Sequence, residues 1–170
     1  MAVTFDPELR SEIEALIERF RVGAEMTAAV TAGASSAEAD FTPRAGGWSI
    51  RTLVCHLSDS ELVGAHRFRL VIAEEEPTLT AFDQDAWSAR LNYGARKLSE
   101  ALDSFRALRA LNYELLRGLP LETFARTGQP AERGRVSLRE LLRIYTEHAE
   151  GHARQIQSVR EKYREARKGS

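Results

Sequence analysis

Apolar residues along this chain recur at intervals of three and four in four long stretches, the spacing of helices that bury one face. The first stretch carries Leu9, Ile13, Leu16, Ile17, Phe20, Met26 and Val30. Just ahead of it, Asp6 offers a capping oxygen, Pro7 suits the first turn and Glu8 complements the helix dipole. Gly33 opens a run of small and polar residues, GASSAEADFTPRAGG, which predicts a loop. Ser49 then serves as a cap, with Trp48 outside it as an apolar anchor. Leu53, Leu57, Gly64, Phe68, Val71 and Ile72 mark the inward side of the second helix. Glu74, Glu75 and Glu76 oppose the dipole at its end, and Pro77 stops it.

Residues 77–95 read as a long connection with a short helical turn around residues 85–91. The third helix is expected over residues 99–117, with Leu102, Phe105, Leu108, Leu111 and Leu115 as its stripe and Gly118 and Pro120 as its stop. A polar connection, TGQPAERGRVS, leads to Ser137 and Glu140, spaced as a capping box. Leu138, Leu141, Leu142, Tyr145, Ala149, Ile156, Val159 and Tyr163 follow as the fourth stripe, and a basic tail reads as a fraying helix end. No segment alternates apolar and polar residues over a strand's length, so no sheet is expected. Four amphipathic helices that cannot bury their stripes alone predict an all-α four-helix bundle, one domain over residues 1–170.

Charge and composition narrow the function without choosing it. With 24 Lys and Arg against 25 Asp and Glu, no global basic field points to nucleic acid or to an anionic membrane. No apolar run is long enough to span a bilayer. The N-terminal residues lack the pattern of a secretory signal, and the single cysteine, Cys55, suits a reducing compartment, so the cytoplasm is the expected location.

The chemistry sits in the histidines. His148 and His152 fall between Tyr145 and Ile156, where the fourth stripe calls for core residues. Four residues advance a helix by about 400°, so both imidazoles point inward, one above the other. Burying two imidazoles side by side without partners is costly, and a shared metal resolves it by using their neutral lone pairs. A third ligand is expected from the second helix. His56 lies near the edge of its inward face; His66 stands about 80° further round, between polar neighbours Arg67 and Arg69. Cys55 is an alternative ligand one residue step away, although a small buried thiol is its commoner role. Glu150 lies about 200° from His148 and cannot act as the base of an H-E-x-x-H site, and Tyr145 stands where a di-iron bundle would need Glu. The expected site is mononuclear.

These residues resemble the DinB-like superfamily of four-helix-bundle metalloproteins, which includes metal-dependent hydrolases and bacillithiol S-transferases. The similarity is carried by Gly47-Trp48-Ser49-Ile50-Arg51, by His56, Leu57, Asp59 and Glu61, and by Glu147, His148, His152, Gln155 and Ile156. Arg106 in the third helix and the Gly-containing loop before Ser137 also fit. The resemblance implies an up-down-down-up topology with a long crossover, a three-His metal site from His56, His148 and His152, and a homodimer.

Three neutral ligands would leave a divalent metal, zinc, nickel or iron, with open positions. A low-molecular-weight thiol there would ionise and attack an electrophile, the S-transferase reading that the resemblance favours. Water made acidic in the same way would give a hydrolase. A non-catalytic dimeric module that binds metal or a small ligand is the reading outside enzymology. Asp59 and Glu61 are candidates for supporting the ligands, against an ordinary polar role. Trp48 and Trp87 are expected mainly to pack, and Tyr145 either to continue the core or to reach the metal cavity.

Overall fold

The computed structural model describes residues 7–130 and 134–169, so the expected cap Asp6 lies outside the described residues. Four long helices form the bundle: α1 (Pro7–Thr31), α3 (Ile50–Ala73), α5 (Leu98–Arg117) and α6 (Leu138–Lys168). Two short helices, α2 (Ser36–Asp40) and α4 (Gln84–Arg90), lie in the connections. Ser49 accepts from the Thr52 amide and Ser137 from the Glu140 amide, so the caps of α3 and α6 form as their sequences imply. Glu140 itself turns to Arg143 instead of closing the capping box.

Side-chain links along the bundle fix the helix directions. Glu12 of α1 pairs with Arg139 near the start of α6, and Arg160 near the end of α6 donates to the carbonyls of Val30 and Ala32. These two helices therefore run parallel. Arg51, at the start of α3, donates to the carbonyl of Arg96 beside the start of α5, while Arg126, past the end of α5, reaches the carbonyl of Val71 near the end of α3. The middle helices are parallel to each other and opposed to the outer two. This is the up-down-down-up order, and it obliges the chain to travel back along α3 between residues 74 and 97. Arg126 also donates to the Glu74 carbonyl and pairs with Glu75, which offsets the acidic run at the dipole's negative end.

Three expectations need correction. A small sheet does form: β1 (Thr78–Leu79) pairs parallel with β2 (Thr127–Pro130), which pairs antiparallel with β3 (Val136–Ser137). Strands of two to four residues are too short to show alternation. Their fit is tight, because a Cβ on Gly128 would lie 2.9 Å from Val71 and 3.1 Å from Leu79. Second, the loop after Gly33 contains α2, capped by Ser35 on the Glu38 amide. Ser35 and Glu38 have capping-box spacing, a signal present in the sequence. Third, the stripe of α5 is rotated: the buried positions are Ala101, Phe105, Arg109, Asn112 and Leu116, while Leu111 is 56% exposed. Pattern reading cannot assign an arginine and an asparagine to a core.

They are there as a polar knot. Arg109 donates to Glu61 at 2.7 Å and to the Phe20 carbonyl at 2.8 Å, and its guanidinium lies 3.8 Å from the centre of the Phe20 ring. A weaker contact reaches the Tyr145 carbonyl at 3.4 Å. Asn112 donates to the other oxygen of Glu61 at 2.9 Å and accepts from Arg69 at 3.0 Å. One side chain thus touches all four long helices. Breaking a buried pair strands a charge. Arg109→Ala is expected to cost about 3–5 kcal/mol, and Glu61→Ala a similar amount. Urea denaturation measures both, and the double substitution should cost well under the sum.

Candidate metal centre

The crossover between α3 and α5 positions one wall of the site. Arg67 of α3 donates to the Thr80 carbonyl at 2.6 Å, and Cys55 Sγ approaches the Tyr93 carbonyl at 3.8 Å. Asp83 caps α4 through the amides of Asp85 and Ala86, close to where the turn near residues 85–91 is expected. Between these ties Phe82 stacks on His56, with ring centres 6.2 Å apart, and Trp87 packs on Phe82 at 5.0 Å. On the other side α3 and α6 come close because position 64 is glycine. A Cβ there would stand 2.6 Å from the Tyr145 ring. That approach lets α3 and α6 present their histidines to one another.

His56, His148 and His152 converge, with one ring nitrogen from each lying within 4.8 Å of the others. His148 Nε2 is 3.0 Å from His56 Nε2 and 3.0 Å from His152 Nε2. Imidazole nitrogens held about 2.0–2.1 Å from a tetrahedral zinc would stand about 3.3 Å apart, so a small relaxation would seat the ion. The proton count supports a cation. His152 Nδ1 faces Gln155 Oε1 at 2.9 Å and must donate to it, which leaves a bare lone pair on His152 Nε2. A single proton on His148 Nε2 can be directed at only one of its two neighbours. One nitrogen–nitrogen contact therefore lacks a proton, and a divalent ion among the three would satisfy every lone pair. These three residues could hold one metal ion.

Electrostatics keep the rings neutral. Burial, reinforced by the neighbouring imidazoles, lowers His56 to about 4 and His148 to about 3, and the Arg109 guanidinium adds to the effect on His148. Burial lowers His152 as well. Trp48 lies against His56, ring centres 4.9 Å apart, and stacks on His152 at 6.4 Å. Both tryptophans and Phe82 are half-buried, and the packing expected of Trp48 is against the imidazoles while that of Trp87 is against Phe82. Phe82 escaped sequence reading, since one aromatic in a loop without periodicity carries no signal.

The remaining candidates separate cleanly. His66 is exposed and outside the cluster. Cys55 is buried, and burial raises its thiol pKa; its sulfur is not among the clustered ligand atoms. Asp59 pairs with Arg96 at 3.0 Å, and Glu61 is held in the Arg109 knot. Glu150 faces Arg19 at 2.9 Å, away from the site. Tyr145 continues the core and accepts from Arg67 at 3.2 Å. Arg106, the arginine singled out by resemblance, is exposed and 3.5 Å from Glu25; the buried arginine of α5 is Arg109, one turn on.

Known proteins carry the same architecture. The family model of the DinB superfamily matches residues 19–156, and the chain belongs to that superfamily. A Bacillus pumilus protein, provisionally named a metal-dependent hydrolase, is 32% identical over 148 residues, covering 86% of this chain and 84% of its own. A protein of Oceanobacillus iheyensis with the same provisional name is 31% identical over 120 residues, 71% of this chain and 69% of its own. YfiT from Bacillus subtilis, described as having an unusual four-helix bundle topology, superposes with a TM-score of 0.85 at 23% identity, covering 96% of this chain and 92% of that one. Among the described residues no helix is long and apolar enough to cross a membrane.

The lowered histidines make the metal-free protein acid-sensitive. Free imidazole titrates near 6.5. Below that value the unfolded chain takes up protons that the folded chain refuses. Stability should be full above about pH 6.5 and fall as pH drops towards 4, by up to about 1.4 kcal/mol per pH unit for each imidazole. Urea midpoints across this range test it, and replacing His148 with Leu should flatten the slope.

Proposed function

We propose that His56, His148 and His152 bind one divalent metal ion, zinc, nickel or iron, and that the chain is a metal-dependent enzyme acting on a small molecule. The observation that carries this is the meeting of three Nε2 atoms whose protons cannot satisfy all their contacts. When bound, the metal would supply Lewis acidity and lower the pKa of a thiol or of water that reaches it. The protein supplies the rest. Its lowered pKa values keep the imidazoles ready as ligands. Gln155 fixes the tautomer and direction of His152. Trp48, Phe82 and Trp87 shield the rings from bulk water.

Thiol S-transfer is the reaction this arrangement favours. The acidic side chains nearest the ligands in sequence on α3 are engaged, Asp59 with Arg96 and Glu61 with Arg109 and Asn112. Neither is free to act as a general base. A thiol, with an ordinary pKa near 8.5, needs less help to ionise than water does. Hydrolysis is the second reading, and the provisional names of the relatives favour it.

Purified without a nickel column, the protein is expected to carry about one metal per chain. His148→Ala or His152→Ala should remove most of it, and His66→Ala should not; full retention in both of the first two would refute the site. With cobalt bound, the effective low-molecular-weight thiol should raise a sulfur-to-metal charge-transfer band that is lost in His56→Ala. A hydrolase would instead be inhibited by thiols, with turnover rising with pH. Metal binding without turnover on either substrate class would leave a binding module.

A further inference from the structure

On the Nδ1 side of His152, where Gln155 lies, is a cleft of about 300 Å³ between the segment entering α3 and the second half of α6. Arg44, Trp48, Gln155, Ser158 and Lys162 supply its functional surface, and among the described residues no Asp or Glu lines it. The Arg44 guanidinium and the Lys162 ammonium have no hydrogen-bond or ion-pair partner among the described residues. Elsewhere on this surface arginines commonly face carboxylates, as Arg19 faces Glu150 and Arg51 faces Asp40. Two unpaired cations in one concavity, on a chain whose formal net charge is −1, make a local positive site that composition hides. The segment is closely fitted there: a Cβ on Gly47 would lie 3.0 Å from the Arg44 carbonyl oxygen and 3.2 Å from Arg44 Cγ.

The cleft is joined to the histidines by two side chains. Trp48 forms part of its wall while lying against His56 and His152. Gln155 also lines it, and the Oε1 that accepts from His152 Nδ1 leaves the NH2 of the same amide as a donor for a ligand. With the Ser158 hydroxyl, the guanidinium and the ammonium, the cleft offers four donor groups and an indole face.

We propose that this cleft is an oxyanion site, taking a carboxylate or phosphate group, and that it is linked to the metal centre through Gln155. An anion accepting from the Gln155 NH2 holds the amide oxygen on His152, and so holds His152 in its ligating direction. By linkage, a metal on His152 tightens the anion by the same factor. The linkage rests on the metal site proposed above; the anion site itself does not.

The test uses metal-free protein carrying Trp87→Phe, which leaves Trp48 as the sole indole. Sodium sulfate is titrated against sodium chloride of equal ionic strength. Sulfate should change Trp48 fluorescence saturably and chloride should not. Arg44→Gln and Lys162→Gln should each weaken sulfate binding about tenfold. Equal responses to the two salts, or unaltered sulfate binding in the double variant, would overturn the site. Zinc affinity, measured by competition with a chelating dye, should rise several-fold with sulfate in the parent and stay level in Gln155→Met. Zinc affinity indifferent to sulfate in the parent would overturn the linkage. Absent zinc binding with sulfate binding intact would sink the metal reading alone, and the reverse result would sink the anion site alone.

Discussion

The bundle is organised around one buried guanidinium. Arg109 is 1% exposed and reaches Glu61 on α3, the Phe20 carbonyl on α1 and the Tyr145 carbonyl on α6. An ion taken so far from water survives only with its partners in place, so the four helices are held in one relative register. Registers matter here because the histidines sit a short way along from the knot on two of those helices. His56 precedes Glu61 by five residues and His148 follows Tyr145 by three. Gly23, whose added Cβ would meet Arg109 at 3.3 Å and Ala149 at 3.2 Å, leaves α1 close enough to complete the packing. The same positive charge contributes to keeping His148 neutral.

The candidate metal centre is thus prepared by the fold. Three imidazoles that would repel if charged are brought together by a glycine contact at Gly64, an ionic knot and a crossover strapped along α3. Such an array is unfavourable on its own account and acceptable if a cation completes it. Asp59, Glu61 and Glu150 are all spent on arginines, so none of them balances a cation held by the three imidazoles. That division, with acids used for architecture and imidazoles gathered at the candidate metal centre, separates this bundle from carboxylate-rich di-iron bundles.

Much of this was legible in the sequence because it depends on periodicity. The inward stripes of α1, α3 and α6 follow hydrophobic spacing, and His148 and His152 stand out because they interrupt one. The turn at α4 and the caps at Ser49 and Ser137 rest on local chemistry that spacing also reveals. What was hidden depends on partners distant in the chain. Arg109 and Asn112 are core residues only because Glu61 meets them, so polarity misled the phase of α5, and the resemblance pointed to Arg106, one turn before the buried arginine. Phe82 has meaning only beside His56. The strands are too short for any alternating signal, and β2 exists because Pro77 and residues 78–79 lie alongside it.

X-ray absorption on the zinc-loaded protein tests the central claim most directly, because it reads the ligands and not merely the presence of metal. The account requires three imidazole nitrogens at about 2.0–2.1 Å, with one further light atom completing a tetrahedral shell. A sulfur scatterer at about 2.3 Å in thiol-free protein would place Cys55 on the metal and contradict it, as would a shell with fewer than three imidazoles.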